Sequence, residues 1–175
     1  FDSGTSRFPI DYQSDAWGDR VASASGRIGL DDMAGRDGSA CVRLSFEARL
    51  QGSERIQGWQ ESDVYHYLNL KITEPPGDAD GLHFSLKPLG FSEIVLLLKQ
   101  RAGDEESYFE LVCQLNPDEW QDLKIPFYNF YPEEKGAEID PRKSLSLTIG
   151  IPYRDNFRRY HFRTGDRMQG ALLVD

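Results

Sequence analysis

The sequence predicts an all-β fold, an antiparallel β-sandwich of about nine short strands. Apolar and polar residues alternate with a period of two rather than 3.6 along most of the chain, which is typical of strands with one buried face. Glycines and prolines separate nearly every pair of these segments, and no amphipathic helix is longer than two turns. The chain has 175 residues, so a single domain over residues 1–175 is expected.

In chain order, the predicted strands are 42–50, 64–73, 82–87, 94–101, 107–115, 123–127, 145–151, 160–162 and 171–174. Strand 94–101 begins with an aliphatic run, which suits a strand buried on both faces. Residues 11–38 are rich in Gly, Ser and Asp, and they are predicted to form long surface loops. Pro88 and Pro132 are expected to lie between strands, because proline cannot donate a backbone hydrogen bond.

Charge and composition restrict the class of partner. The chain carries 20 Lys and Arg against 29 Asp and Glu, a net charge of −9. Nucleic acid is therefore not an expected partner, because it requires clustered cations. The longest aliphatic run, residues 94–98, is far below the roughly 20 residues of a spanning helix, so membrane insertion is not expected either. The chain begins at Phe1 rather than Met, and further domains of a larger protein are expected.

Catalytic patterns are scarce. Cys41 and Cys113 are too few for a disulfide scaffold, and two free, half-buried thiols are expected, with one disulfide between them left open. His66 lies on the apolar face of its strand and is predicted to be a hydrogen-bonded core residue. The acidic pairs are adjacent in sequence, so their side chains point apart rather than across a cleft. We therefore predict a protein that is not an enzyme.

The aromatic residues indicate a binding surface. Tyrosines and tryptophans are too numerous for the core faces alone, and several fall on polar sides of strands or in loops. Exposed rings stack on the C–H faces of sugars, while polar side chains exchange hydrogen bonds with the sugar hydroxyls. The aromatic residues considered are Trp17, Trp59, Tyr65, Tyr67, Tyr108, Tyr128, Tyr131, Tyr153 and Tyr160.

The most specific feature is the segment EWQDLKIPFYNF, residues 119–130. It resembles a segment of jelly-roll carbohydrate-binding modules, most closely the family 11 type, and of the related complex I intermediate-associated protein 30 superfamily. On this comparison, Trp120 leads into a strand and Pro126 ends its pairing. The apolar residues expected to face the core or anchor the following loop are Leu123, Ile125, Phe127 and Phe130.

The resemblance implies a β-jelly roll, like galactose-binding domains, that binds polysaccharide without catalysis. The implied ligand is a β-glucan or related plant-type glycan in a concave groove, at an extracellular or periplasmic cell surface. The implied ligand-binding residues are Trp59, Asp104, Tyr108, Tyr131, Glu133, Tyr153 and Arg154. The resemblance also implies a structural Ca²⁺ held by Asp2, Asp37 and Asp175.

Two other functions stay open. A structural or assembly subunit, such as a sheath, envelope or assembly-factor protein, would use the same sandwich as an interaction surface. It is motivated by the departure from the family pattern at residues 132–135 and by the arginine-rich stretch 154–167. The other is an enzyme, for example a jelly-roll lyase or hydrolase. A lyase would need a positioned base and cationic groups, for which Lys99, Arg101 and His83 are the candidates.

Overall fold

The computed structural model describes residues 10–17, 21–50, 63–72, 77–152 and 167–175. These residues form strands and one short 3-10 turn, Phe127–Asn129, so the all-β prediction is confirmed. Within these ranges, no helix is long or apolar enough to cross a membrane. The strands are β1 Ile10–Trp17, β2 Val21–Asp31, β3 Cys41–Leu50, β4 Asp63–Lys71, β5 Gly81–Leu89, β6 Glu93–Ala102, β7 Glu105–Gln114, β8 Gln121–Pro126, β9 Tyr131–Pro132, β10 Ser144–Pro152 and β11 Arg167–Val174.

The strands form two antiparallel sheets. The six-stranded sheet has the order β1-β4-β10-β6-β7-β9, and the five-stranded sheet has the order β2-β3-β11-β5-β8. Strands distant in sequence are neighbours in space: β10 lies between β4 and β6, and β11 lies between β3 and β5. The predicted β-sandwich of jelly-roll type is therefore the observed architecture.

The core lies between the sheets and follows the predicted alternation. In β6, Ile94, Leu96 and Leu98 are fully buried, and Val95 on the opposite face is only 9% exposed. This agrees with the expectation that this strand begins buried on both faces. The described part of the chain leaves Cys41 and Cys113 as free thiols, so the option of a disulfide between them is excluded.

His66 is a core residue, as predicted. Its ring is fully buried and stacks on Phe46 with centroids 4.7 Å apart, and the Tyr12 hydroxyl lies 2.9 Å from Nδ1. Nε2 has no hydrogen-bond partner among the residues that the structure describes. Burial lowers the pKa of His66 from 6.5 to about 4, because the charged imidazolium is poorly solvated there.

Eight of the nine predicted strands coincide with observed strands, and 160–162 lies outside the described residues. The prediction that residues 11–38 form loops was wrong, because most of them belong to β1 and β2. Gly26 explains the error. Its ideal Cβ would lie 2.3 Å from the Tyr12 ring, so contact between the two sheets requires a glycine at this position, which the sequence pattern assigned to a loop.

The expected positions of Pro88 and Pro132 were also wrong. Pro88 lies in β5 opposite Leu172, and Pro132 lies in β9 opposite Phe109. The Pro88 carbonyl accepts a hydrogen bond from the Asp118 amide, which lies away from β11. The missing N–H of Pro88 therefore costs no bond of the β5–β11 ladder. Pro132 belongs to a two-residue edge strand, where proline is tolerated.

Candidate functional site

A groove of about 510 Å³ lies on the outward face of the six-stranded sheet. The strands of this sheet are spaced by about 4.8 Å, so the face extends about 24 Å from β1 to β9. Every second residue of each strand points outward, which brings side chains from distant segments into single rows. The polar residues that line the groove include Asp11, Gln13, Asn69, Lys99, Glu106 and Thr148.

The first row holds a fixed polar network. Asp11, Asn69 and Thr148 are aligned across β1, β4 and β10. The Thr148 hydroxyl donates to Asn69 Oδ1 at 2.8 Å, and Asn69 Nδ2 donates to Asp11 Oδ1 at 3.2 Å. Each bond orients the next side chain, so the network presents defined acceptors and donors to the groove.

The second group surrounds the Glu106 carboxylate in β7. Lys99 Nζ lies 2.8 Å from it, the Tyr108 hydroxyl donates to it at 2.7 Å, and Arg101 Nη2 lies 3.5 Å away. Lys99 also sits over the Tyr108 ring, 5.5 Å from its centroid. Hydrogen bonds from Lys99 and Tyr108 lower the pKa of Glu106, so its carboxyl stays ionised and holds the cations and the tyrosine in place.

Tyr67 adds an aromatic surface near the centre of the sheet. It lies between Gln13 in β1 and Gly150 in β10 in the register of the strands. An ideal Cβ on Gly150 would lie 3.3 and 3.4 Å from two atoms of the Tyr67 ring. Glycine at this position therefore allows the ring to lie close to the neighbouring backbone.

The predicted ligand-binding residues are only partly brought together. Tyr108 is 43% exposed on the sheet face, and Tyr131 is 76% exposed at its β9 edge. The Glu133 amide donates to the Tyr108 carbonyl at 2.9 Å, which joins these three residues at one side of the sheet. Asp104 is exposed in the β6–β7 turn, outside the groove lining. Trp59, Tyr153 and Arg154 lie outside the described residues.

Sequence reasoning missed several groove residues, although part of the signal was present. Alternation correctly assigned Tyr67 and Asn69 to the polar face of their strand. The order of strands in the sheet was not available, so nothing indicated that Asn69 would meet Asp11 and Thr148. Asp11 was missed for a second reason, because its segment was interpreted as a loop.

Two of the acidic positions proposed for calcium, Asp37 and Asp175, lie near Arg36. Asp175 accepts hydrogen bonds from the Arg36 amide at 3.3 Å and the Ser39 hydroxyl at 3.5 Å. Arg36 Nη1 lies 2.5 and 2.6 Å from the two oxygens of Asp122, and its attraction to Asp122, Asp37 and Asp175 raises its pKa. Among the described residues, no three metal-ligating side chains gather. These residues alone do not form a calcium site, and Asp2 lies outside the described ranges, so the calcium site stays a prediction.

The residues considered for lyase chemistry are separated. Lys99 and Arg101 share the six-stranded sheet, whereas His83 lies in β5 of the other sheet, opposite Lys124. Glu106 has a lowered pKa, whereas a general acid of a glycosidase needs a raised one. The described lining of the groove offers ordered hydrogen-bonding groups.

Comparison with known proteins gives the fold class. No family model and no curated protein matches the sequence. The structure is similar to a family 11 carbohydrate-binding module of a cellulosomal cellulase of Clostridium thermocellum, with a TM-score of 0.55, 13% identity, and coverage of 99% of this chain and 87% of that one. A family 11 module from the same organism, in complex with a β-1,3-1,4-mixed-linked tetrasaccharide, gives a TM-score of 0.55 and 13% identity over 99% and 88% of the two chains.

A third structure, of carbohydrate-binding modules from the β-sandwich superfamily, gives a TM-score of 0.51 and 11% identity over 94% and 54% of the two chains. The protein thus has the β-sandwich fold found in family 11 and other carbohydrate-binding modules. The resemblance to the complex I intermediate-associated protein 30 superfamily stays a prediction. At these identities the comparison establishes the fold alone.

Proposed function

We propose that the protein is a non-catalytic polysaccharide-binding module. The observation that carries the proposal is the groove on the six-stranded sheet, whose fixed hydrogen-bonding network lies on a row between the rows of Tyr67 and Tyr108. The Asp11–Asn69–Thr148 network can exchange hydrogen bonds with sugar hydroxyls, and Tyr67 and Tyr108 can stack on sugar C–H faces. The fold shared with carbohydrate-binding modules supports the same function.

The ligand proposed for this groove is a β-glucan or related plant-type glycan. The charged side chains that line the groove balance one another, because the two carboxylates of Asp11 and Glu106 offset the two cations of Lys99 and Arg101. An uncharged chain can therefore bind without leaving a buried charge unpaired. The proposed setting is an extracellular or periplasmic surface, where such polysaccharides occur.

Affinity electrophoresis against soluble β-glucans and mannans tests the proposal, with calorimetry on any glycan that retards the protein. Tyr108→Ala should weaken glycan binding about tenfold, because it removes one stacking surface and the hydroxyl that donates a hydrogen bond to Glu106. Tyr128→Ala is the matched control, since Tyr128 is 85% exposed and lies in the 3-10 turn rather than on the six-stranded sheet. Binding to no glycan would refute the proposal and favour the assembly-subunit alternative.

A further inference from the structure

A second groove, of about 520 Å³, lies on the outward face of the five-stranded sheet, opposite the first. Its floor follows one row of the sheet, from Arg27 in β2 through Ser45 and Ala171 to Leu89 in β5. Small side chains at Ser45 and Ala171 leave the floor open, and Gln169 lies on the neighbouring row. The volume is within the range of about 300–1,000 Å³ that is usual for small-ligand sites.

Three charged side chains line this second groove, Arg27, Arg43 and Glu47, and Glu47 has an interaction partner of its own. Arg43 is held by its own strand neighbours: Nη1 donates to Asp31 at 3.1 Å, and Nε donates to Ser45 at 3.1 Å. Arg27 is exposed, and no hydrogen bond or ion pair joins it to another residue in the described part of the chain. In the first groove, by contrast, both cations contact Glu106.

An unpaired guanidinium beside an open groove favours an anionic ligand. The planar guanidinium donates two parallel hydrogen bonds to a carboxylate or sulfate, which gives geometry as well as attraction. Ala171 and Leu89 provide an apolar floor for C–H groups, while Gln169 and Ser25 can bind hydroxyls. A ligand that combines an acid group, C–H faces and hydroxyls is an acidic sugar.

We propose that this second groove binds an acidic saccharide, with Arg27 taking the anionic group. The shared chemistry is an anion carried by a sugar ring, either the carboxylate of a uronic acid or a sulfate ester. The inference stands apart from the proposed function, since it uses the opposite sheet and different residues. Failure of one does not imply failure of the other.

Calorimetry with an oligogalacturonate, a sulfated oligosaccharide and a neutral oligosaccharide tests this inference. At least one acidic ligand should bind, and Arg27→Ala should weaken that binding about tenfold, through loss of a charged hydrogen bond. Arg49→Ala is the matched control, because Arg49 is an exposed arginine of β3 that does not line this groove. Tyr108→Ala should also leave acidic-ligand binding unchanged.

The acidic ligands distinguish the source of the anion: galacturonate binding supports a carboxylate, and binding of the sulfated ligand supports a sulfate ester. Absence of acidic-ligand binding would overturn the proposal, as would equal binding by the Arg27→Ala variant. A hexaglutamate peptide serves as the charge control. If it binds as tightly as the saccharides, the groove recognises charge alone and the proposal fails.

Discussion

At the scale of single residues, the candidate groove depends on side chains that hold one another in place. Glu106 orients Lys99 and Tyr108, and Asn69 is fixed between Asp11 and Thr148. Fixed side chains lose little conformational entropy when a ligand binds, which supports affinity in an exposed groove. The position of Tyr67 also depends on the absence of a side chain at Gly150.

Gly150→Ala should therefore weaken glycan binding several-fold while the domain stays folded. The new methyl group would press on the Tyr67 ring at 3.3–3.4 Å and shift it by a few tenths of an ångström. Alanine in a strand is itself favoured over glycine by about 0.5–1 kcal/mol, so stability should not fall greatly. Calorimetry and thermal unfolding measure the two effects separately.

Gly29→Ala is the control for that variant. Gly29 also faces outward from a strand, and an added Cβ would meet no atom within 4 Å. Its glycan binding should equal that of the unmodified protein. Equal binding by Gly150→Ala would show that the Tyr67 position does not matter for the ligand.

At the scale of elements, the loop between β2 and β3 ties separate parts of the five-stranded sheet together. Arg36 in this loop contacts Asp122 in β8, and its amide contacts Asp175 directly after β11. Ser85 in β5 donates to Asp122 at 2.5 Å, and hydrogen bonds from Ser85 and Arg36 lower the pKa of that carboxyl. Arg36 thus supplies positive charge where the family resemblance implied a metal.

The calcium prediction can be checked at this loop. If Ca²⁺ binds the native protein, thermal unfolding should shift upward with added calcium chloride and downward with EDTA, by mass action. Asp37→Asn should remove that shift, because it removes one implied ligand. Identical unfolding curves in calcium and EDTA would contradict the site.

At the scale of the whole molecule, the buried His66 links the stability of the sandwich to pH. The ring lies between the sheets, contacts Tyr12 and Phe46, and has a pKa of about 4 in the folded protein. In the unfolded chain its pKa returns to about 6.5. The unfolded state therefore binds a proton first as the pH falls.

The contribution of His66 to the free energy of unfolding should be fully present above about pH 6.5. It should fall by about 3 kcal/mol as the pH drops to about 4. Urea unfolding at a series of pH values measures this loss. His66→Phe removes the titrating group and should flatten the dependence over this range. His83→Gln, at an exposed position, should retain it, and an equally steep dependence in His66→Phe would exclude His66 as the cause.

The sequence by itself determined the class of fold, most strands and the faces of those strands. Alternation is a local property, so it identified the core side of β3, β4 and β7 without knowledge of their partners. The segment 119–130 also behaved as predicted: Pro126 ends β8, and Phe127 and Phe130 are buried.

The tertiary structure decided the order of strands and, with it, the grooves. Asp11, Asn69 and Thr148 are 58 and 79 positions apart in sequence along the network, yet they share one row of a sheet. Strands β1 and β2 were missed for the same reason. The glycine at position 26 is explained only by the Tyr12 ring, which belongs to the opposite sheet. Local patterns show which way a side chain points, but only strand pairing determines which residues it meets.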